Sequence, residues 1–256
     1  MRLEEYGEPL AYEAAFWMQG LANPDYPIGE LGNLSLEVSG KLRALAVMNL
    51  IVNADSDSFY HNLIRSGMAR EKYLKRLTEA GTFDDHHRCS GRYEAFLDAV
   101  AAKEFSLARS IMDLSPREWR KGHEYEDDYC YAQILGRLVQ GNPPLDEIFP
   151  FLQQFEVYLE GQSNARFDVS TALATRGQES FDEAFEKLLE EREAQIEADK
   201  KRGQLEEPEI VAQRQVFVEG LAILRLAEKL GLTTQDEYKY CPSLARVPMQ
   251  EPFPGE

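Results

Sequence analysis

The sequence predicts an all-α protein, an irregular helical bundle or short α-solenoid of packed helical hairpins. Three observations predict it. Apolar residues recur at helical spacing through most of the chain, no segment alternates apolar and polar residues long enough for a sheet, and Gly, Pro and capping residues punctuate the periodic runs. No fixed-period repeat is visible, so tetratricopeptide and ankyrin arrays are not expected. No linker demands a boundary. A single all-α domain over 1–256 is expected, with N-terminal helices at about 8–80, a helical core at about 91–232 and an irregular tail at 233–256.

The elements follow in order. Leu36 to Asn53 is apolar on most faces (Leu42, Leu45, Ala46, Met48, Leu50, Ile51), which predicts a buried central helix with Ser35 as its N-cap. Phe59, Leu63 and Ile64 mark the next helix, and Tyr73, Leu74 and Leu77 another that ends near Gly81. A hairpin then reads from Tyr93, Phe96, Leu97 and Val100, a break at Lys103-Glu104, and Leu107, Ile111 and Leu114. Ser115-Pro116-Arg117-Glu118 has the form of a helix start, and a helix is expected from His123 to Gln140, stopped by Gly141-Asn142-Pro143-Pro144. Helices follow near Leu145–Leu159 and Asn164–Thr175. Ser180-Phe181-Asp182-Glu183 reads as a second capping box, opening a long amphipathic helix that Gly203 closes. The last helix spans about Pro208 to Leu230, with Gly231 and Leu232 suited to a left-handed cap.

Charge bears on function. The 256 residues contain 28 Lys and Arg against 45 Asp and Glu, a net charge of −17. Such a field repels nucleic acid and anionic lipid over about 8–10 Å at physiological salt, and it attracts cationic partners. Neither nucleic acid nor membrane is therefore an expected partner. Cys89, Cys130 and Cys241 are far apart and odd in number, which signals neither a disulfide framework nor a zinc finger. The first residues are acidic where a secretory leader would be basic, so cytoplasmic residence is expected.

Two clusters could carry chemistry. The first, Trp119 to Tyr131, places Trp119, His123, Glu124, Tyr125, Glu126, Asp127, Asp128 and Tyr129 close together. Helical geometry would put His123, Asp127 and Cys130 on one stripe and Glu124 and Asp128 on its neighbour. The plain structural reading is an acidic first helical turn, favoured by the helix dipole, followed by core tyrosines. Against it stand a binding hot spot for a basic protein, since aromatic and acidic groups together suit that task, and a metal site. The second cluster, Asp84-Asp85-His86-His87-Arg88-Cys89, could bind a transition metal. Its order does not match a His-Asp phosphohydrolase pair, nor its spacing a HExxH helix, and a polar loop with an N-cap aspartate explains it better. No GxSxG elbow, phosphate-cradling Gly loop or dinucleotide fingerprint appears, so nucleophilic catalysis has little support. Arg166, Arg176, Arg214 and Arg225 are expected to partner buried carboxylates.

Several segments together resemble a known family. They are Arg92-Tyr-Glu-Ala-Phe-Leu-Asp-Ala-Val-Ala-Ala, Leu107-Ala-Arg-Ser-Ile, Ser115-Pro116 with Trp119, Glu124-Tyr-Glu-Asp-Asp-Tyr-Cys-Tyr131, and Leu221-Ala-Ile-Leu-Arg-Leu-Ala227 with Gly231. Across Ser35 to Arg246 the chain resembles the immunity protein 49 family of bacterial polymorphic toxin systems. The resemblance implies a mostly helical protein that binds and neutralises a cognate secreted antibacterial toxin in the producing cell, without catalytic residues and without a cofactor. Two rivals stay open: a metal-dependent enzyme using the His/Asp/Glu cluster at 123–128, and a helical adaptor without a toxin partner.

Overall fold

The computed structural model describes residues 3–81, 85–141, 143–202 and 207–255. Among these the chain is all-α, and the extended contacts are two isolated bridges, Lys121–Glu124 and Tyr238–Cys241. The helices are α1 (Gly7–Ala22), α2 (Ile28–Asn53), α3 (Ser56–Glu79), α4 (Glu94–Ala101), α5 (Phe105–Leu114), α6 (Glu126–Val139), α7 (Leu145–Leu159), α8 (Ala165–Thr175), α9 (Gln178–Lys201), α10 (Pro208–Gln215) and α11 (Val218–Lys229). Short 3-10 turns lie at Leu3–Glu5, His86–Arg88 and Ser243–Ala245.

The long hairpin α2–α3 is the spine. Helix α2 is buried on nearly every face, as its apolar sequence requires, and α1 and α10 pack on it. Helix α4 wedges between α3 and α11, while α6 carries α7, and α8 pairs with α9. One apolar cluster runs from Leu10 through Phe59, Phe96, Tyr131, Phe155 and Phe185 to Ala245.

Several expected boundaries move. Ser35 does not cap α2, which starts two turns earlier; its hydroxyl is buried against the Ala69 carbonyl. The two helices expected around Phe59 and Tyr73 are one continuous α3, capped by Asp55, whose carboxylate accepts from the Ser58 amide at 2.9 Å. Ser180 lies inside α9, whose N-cap is Gly177. The expected last helix breaks at Val216–Phe217, where the Phe217 amide leaves the helical ladder to donate to the Tyr240 carbonyl at 2.7 Å. Other signals hold: Asp85 caps the 86–88 turn, and Gly231 adopts φ +88 so that the Leu232 amide reaches the Ala227 carbonyl. The helix expected from Asn164 starts at Ala165, with Asn164 as its cap through the Phe167 amide. The expected Gly203 stop and Asn142 lie outside the described residues, as does Asp84.

The irregular tail after α11 is strapped across α3. The Tyr60 hydroxyl lies 2.9 and 2.7 Å from the Ala245 and Val247 carbonyls and accepts from Arg225. Asp57 accepts from the Gln250 and Glu251 amides, and Phe253 sits against His61 and Arg65.

Candidate functional site

Ser115-Pro116-Arg117-Glu118 ends a helix instead of starting one. Ser115 is the C-cap of α5, its hydroxyl donating back to the Ile111 carbonyl at 2.8 Å, and Pro116 follows where helices commonly stop. Residues 116–125 form an irregular connection, and α6 begins only at Glu126. His123 and Glu124 therefore precede the helix, and the helical stripe joining His123 to Asp127 and Cys130 does not exist.

This connection is pinned to the core at several points. The Tyr129 hydroxyl donates to the Arg117 carbonyl at 2.7 Å, and Gln133 donates to the Pro116 carbonyl at 3.1 Å. Trp119 is half-buried, its indole N–H directed at the Glu124 carbonyl at 3.3 Å. The Glu124 carboxylate faces inward and accepts from the Gly91 amide at 2.7 Å and the Arg120 amide at 3.2 Å. Burial pushes the Glu124 carboxyl above the usual carboxylate range. A Cβ at Gly91 would stand 3.0 Å from the Glu124 carboxylate and 3.1 Å from Asp128, so a larger residue there requires both neighbours to give way.

The first turn of α6 divides its acids. Asp128 points inward, accepting from the Tyr93 hydroxyl at 3.0 Å with Arg166 at 3.6 Å, and burial raises its pKa. Arg166 in turn holds Glu219 with two bonds of 2.7 and 2.9 Å while stacking over Tyr93 and Tyr131, and the Tyr131 hydroxyl donates to Glu219 at 3.0 Å. Glu126 accepts from Gln154 of α7 at 2.8 Å. Asp127 Oδ1 is shielded from solvent and has no hydrogen-bond partner among the described residues.

The predicted residues thus separate into two groups. Trp119, Glu124, Asp128 and Tyr129 serve largely to anchor the connection. His123, Tyr125, Glu126 and Asp127 lie toward the surface, and Tyr125, which the plain structural reading places in the core with Tyr129, is 72% exposed. Gly91, Arg92, Gly122, His123, Glu124, Tyr125 and Asp128 line a cavity of about 490 Å³ beside them. The Arg166–Glu219 pair was not legible as such, because its members are far apart in sequence. Arg225, itself buried, pairs with Glu228, a carboxylate only partly buried; Arg176 instead occupies a left-handed C-cap at the end of α8.

Among the described residues, a set of three potential metal ligands converges at Asp85, His86 and His87, with ligand atoms within 4.8 Å of one another. The Asp85 carboxylate is already engaged. It accepts from the His87 amide at 2.9 Å and the Tyr73 hydroxyl at 2.8 Å, and stands 2.8 Å from His87 Nδ1. Those bonds to its charged form hold its pKa low despite partial burial. The arrangement is that of a capped turn, further tied by buried Arg70, which donates to the carbonyls of His87, Arg88 and Cys89.

No described helix is long and apolar enough to cross a membrane. The family described as Immunity protein 49 matches the chain over residues 43–245, from α2 to the 3-10 turn of the tail. No curated protein and no solved structure matches.

Proposed function

The chain belongs to the Immunity protein 49 family, and on that premise we propose that it binds a cognate secreted antibacterial toxin in the cytoplasm of the producing cell and neutralises it by covering its active cleft. The family match over 43–245 carries this reading. The charge of −17 supports a basic toxin, because opposite fields accelerate encounter and disfavour acidic partners. His123 and Tyr125, which are exposed, and the half-buried Glu126 and Asp127 beside them supply contact chemistry suited to a basic surface. The protein acts by occupancy, with no bond made or broken and no cofactor.

Co-expression with the toxin encoded beside this gene tests the proposal. Cells survive, and the two proteins co-purify as a stoichiometric complex. Charge reversal at Glu126 and Asp127 weakens that complex and increases its salt sensitivity. Survival without a complex would sink the occlusion mechanism. Metal bound stoichiometrically and lost on His123→Ala would favour a metal-dependent enzyme instead.

A further inference from the structure

Helix α7 presents an unusual outer surface. At about 100° per residue, Leu145, Phe149, Gln153, Glu156 and Val157, with the C-cap Glu160, fall on one arc that borders the buried face of Ile148, Leu152 and Phe155. The apolar members of that arc are uncovered: Val157 is 76% exposed, Phe149 49% and Leu145 46%. Tyr158, 41% exposed, flanks them on the side facing α6, where the Asp127 carboxylate raises its phenol pKa and Tyr125 also bears on it. Single exposed apolar residues are ordinary, but several on one helix and its neighbour form a patch.

The charge around this patch is one-sided. From Leu138 to Ala165 the sequence has no Lys, Arg or His, yet it contains Asp146, Glu147, Glu156 and Glu160. Glu126 and Asp127 extend the acidic edge, and the Gln154–Glu126 bond fixes α7 against it. The adjoining cation Arg137 is turned onto the Phe151 ring at 4.0 Å and donates to Gln133. Pro150 carries no N–H, so the Asp146 carbonyl also lacks its helical donor.

We propose that the outer face of α7, with Tyr125 and Tyr158 at its flank, is a docking surface for a cationic amphipathic segment of a partner protein. Apolar side chains of that segment cover Phe149 and Val157, while its Lys or Arg side chains meet Glu156, Glu160 and Asp127. An anionic or purely apolar partner does not fit, since either would leave these carboxylates repelled or unpaired. The identification of that partner as the toxin rests on the function proposed above; the surface itself does not.

The test has two arms. In the first, a synthetic Leu/Lys amphipathic helical peptide is bound to the full chain and its footprint read by hydrogen exchange. Protection falls on α7 and the start of α6, and Phe149→Lys with Val157→Lys weakens binding about tenfold or more. Tyr12→Lys with Phe16→Lys on α1 leaves it unchanged. All four positions are exposed, so the variants fold, which circular dichroism checks. A footprint elsewhere, or equal binding by the α7 variant, overturns the proposal. In the second arm, the same variants are tested for protection against the neighbouring toxin. Loss of protection by the α7 variant alone supports the toxin as occupant. Protection by wild type and variant alike removes α7 from the interface and leaves the immunity reading standing. Failure of wild type to protect removes that reading, and the peptide footprint then decides the surface by itself.

Discussion

Carboxylates occupy this molecule in two ways, and the contrast between the inner seam and the outer face of α7 separates architecture from recognition. In the seam, Asp98 of α4 is fully buried, accepting from Arg43 of α2 at 2.6 Å and Ser66 of α3 at 2.5 Å, and Glu219 on α11 is gripped by Arg166 from α8. Each buried acid ties together elements distant in sequence and has a cation in contact. On α7 Glu156, and at its C-cap Glu160, are exposed beside uncovered apolar side chains, with no cationic residue in the helix. The first arrangement is costly to disturb and saturated within the chain. The second contributes little to the fold and is unsaturated, which is what a surface awaiting a partner requires.

Substitution can break this contrast. The largest effect is expected at Asp98→Ala, which leaves Arg43 and Ser66 buried without their acceptor and costs about 3–5 kcal/mol in denaturant unfolding. A loss below about 1 kcal/mol would show that the seam is no more structural than the surface. Glu219→Gln keeps the shape but removes the charge facing Arg166 and Tyr131, and should cost about 1.5–3 kcal/mol, measured in the same way. Glu228 sharpens the comparison because it is only partly buried, bridging Arg225 at 3.1 Å and Arg246 at 2.7 Å. Those partners hold its pKa below the usual carboxylate value in spite of burial. Its contribution is therefore complete above the unfolded pKa, near 4.5, and disappears as pH falls through the lower folded value. Unfolding curves for Glu228→Gln should show a weaker fall in stability on acidification than wild type, and identical slopes would refute the assignment. The smallest stability effect belongs to Glu156→Lys and Glu160→Lys, within about 0.5 kcal/mol of wild type. Those two variants should nonetheless slow association with a cationic partner, as measured by stopped flow.

The fold class was legible because helical periodicity is a repeated, local signal. The hairpin of α4 and α5, the aspartate cap of the 86–88 turn and the Gly231 cap all followed from residues adjacent in sequence. Serine caps were less reliable for a physical reason: Ser35, Ser115 and Ser180 can bond to backbone inside a helix or at its C-terminus as readily as at its start. Ser115-Pro116 shows the ambiguity, since the same pair satisfies the rule for opening a helix and the rule for closing one. The break at Phe217 had no Gly or Pro to announce it, because its cause is the Tyr240 carbonyl in the tail. At the site, composition identified the acidic and aromatic segment, but not which side chains face inward. Glu124 and Asp128 are held by Gly91 and Tyr93, and Tyr129 by Arg117, contacts that require the tertiary fold. The α7 surface did leave a compositional trace in its cation-free stretch, although burial was needed to distinguish Phe149 and Val157 from Leu152 and Phe155.

The strap across α3 has a consequence in time. Its anchors Asp57, Tyr60, His61 and Arg65 leave the ribosome long before the residues at 245–253 that they hold. The α2–α3 hairpin can form early from local contacts, but one flank of α3 stays uncovered until the tail arrives, and such non-local closure is the slow part of assembly. A nascent chain interrupted after α11 would carry most of its helices and still lack the cover over Tyr60 and Arg225. Arrival of the segment at 245–253, more than formation of the helices, is then the event that closes the flank of α3.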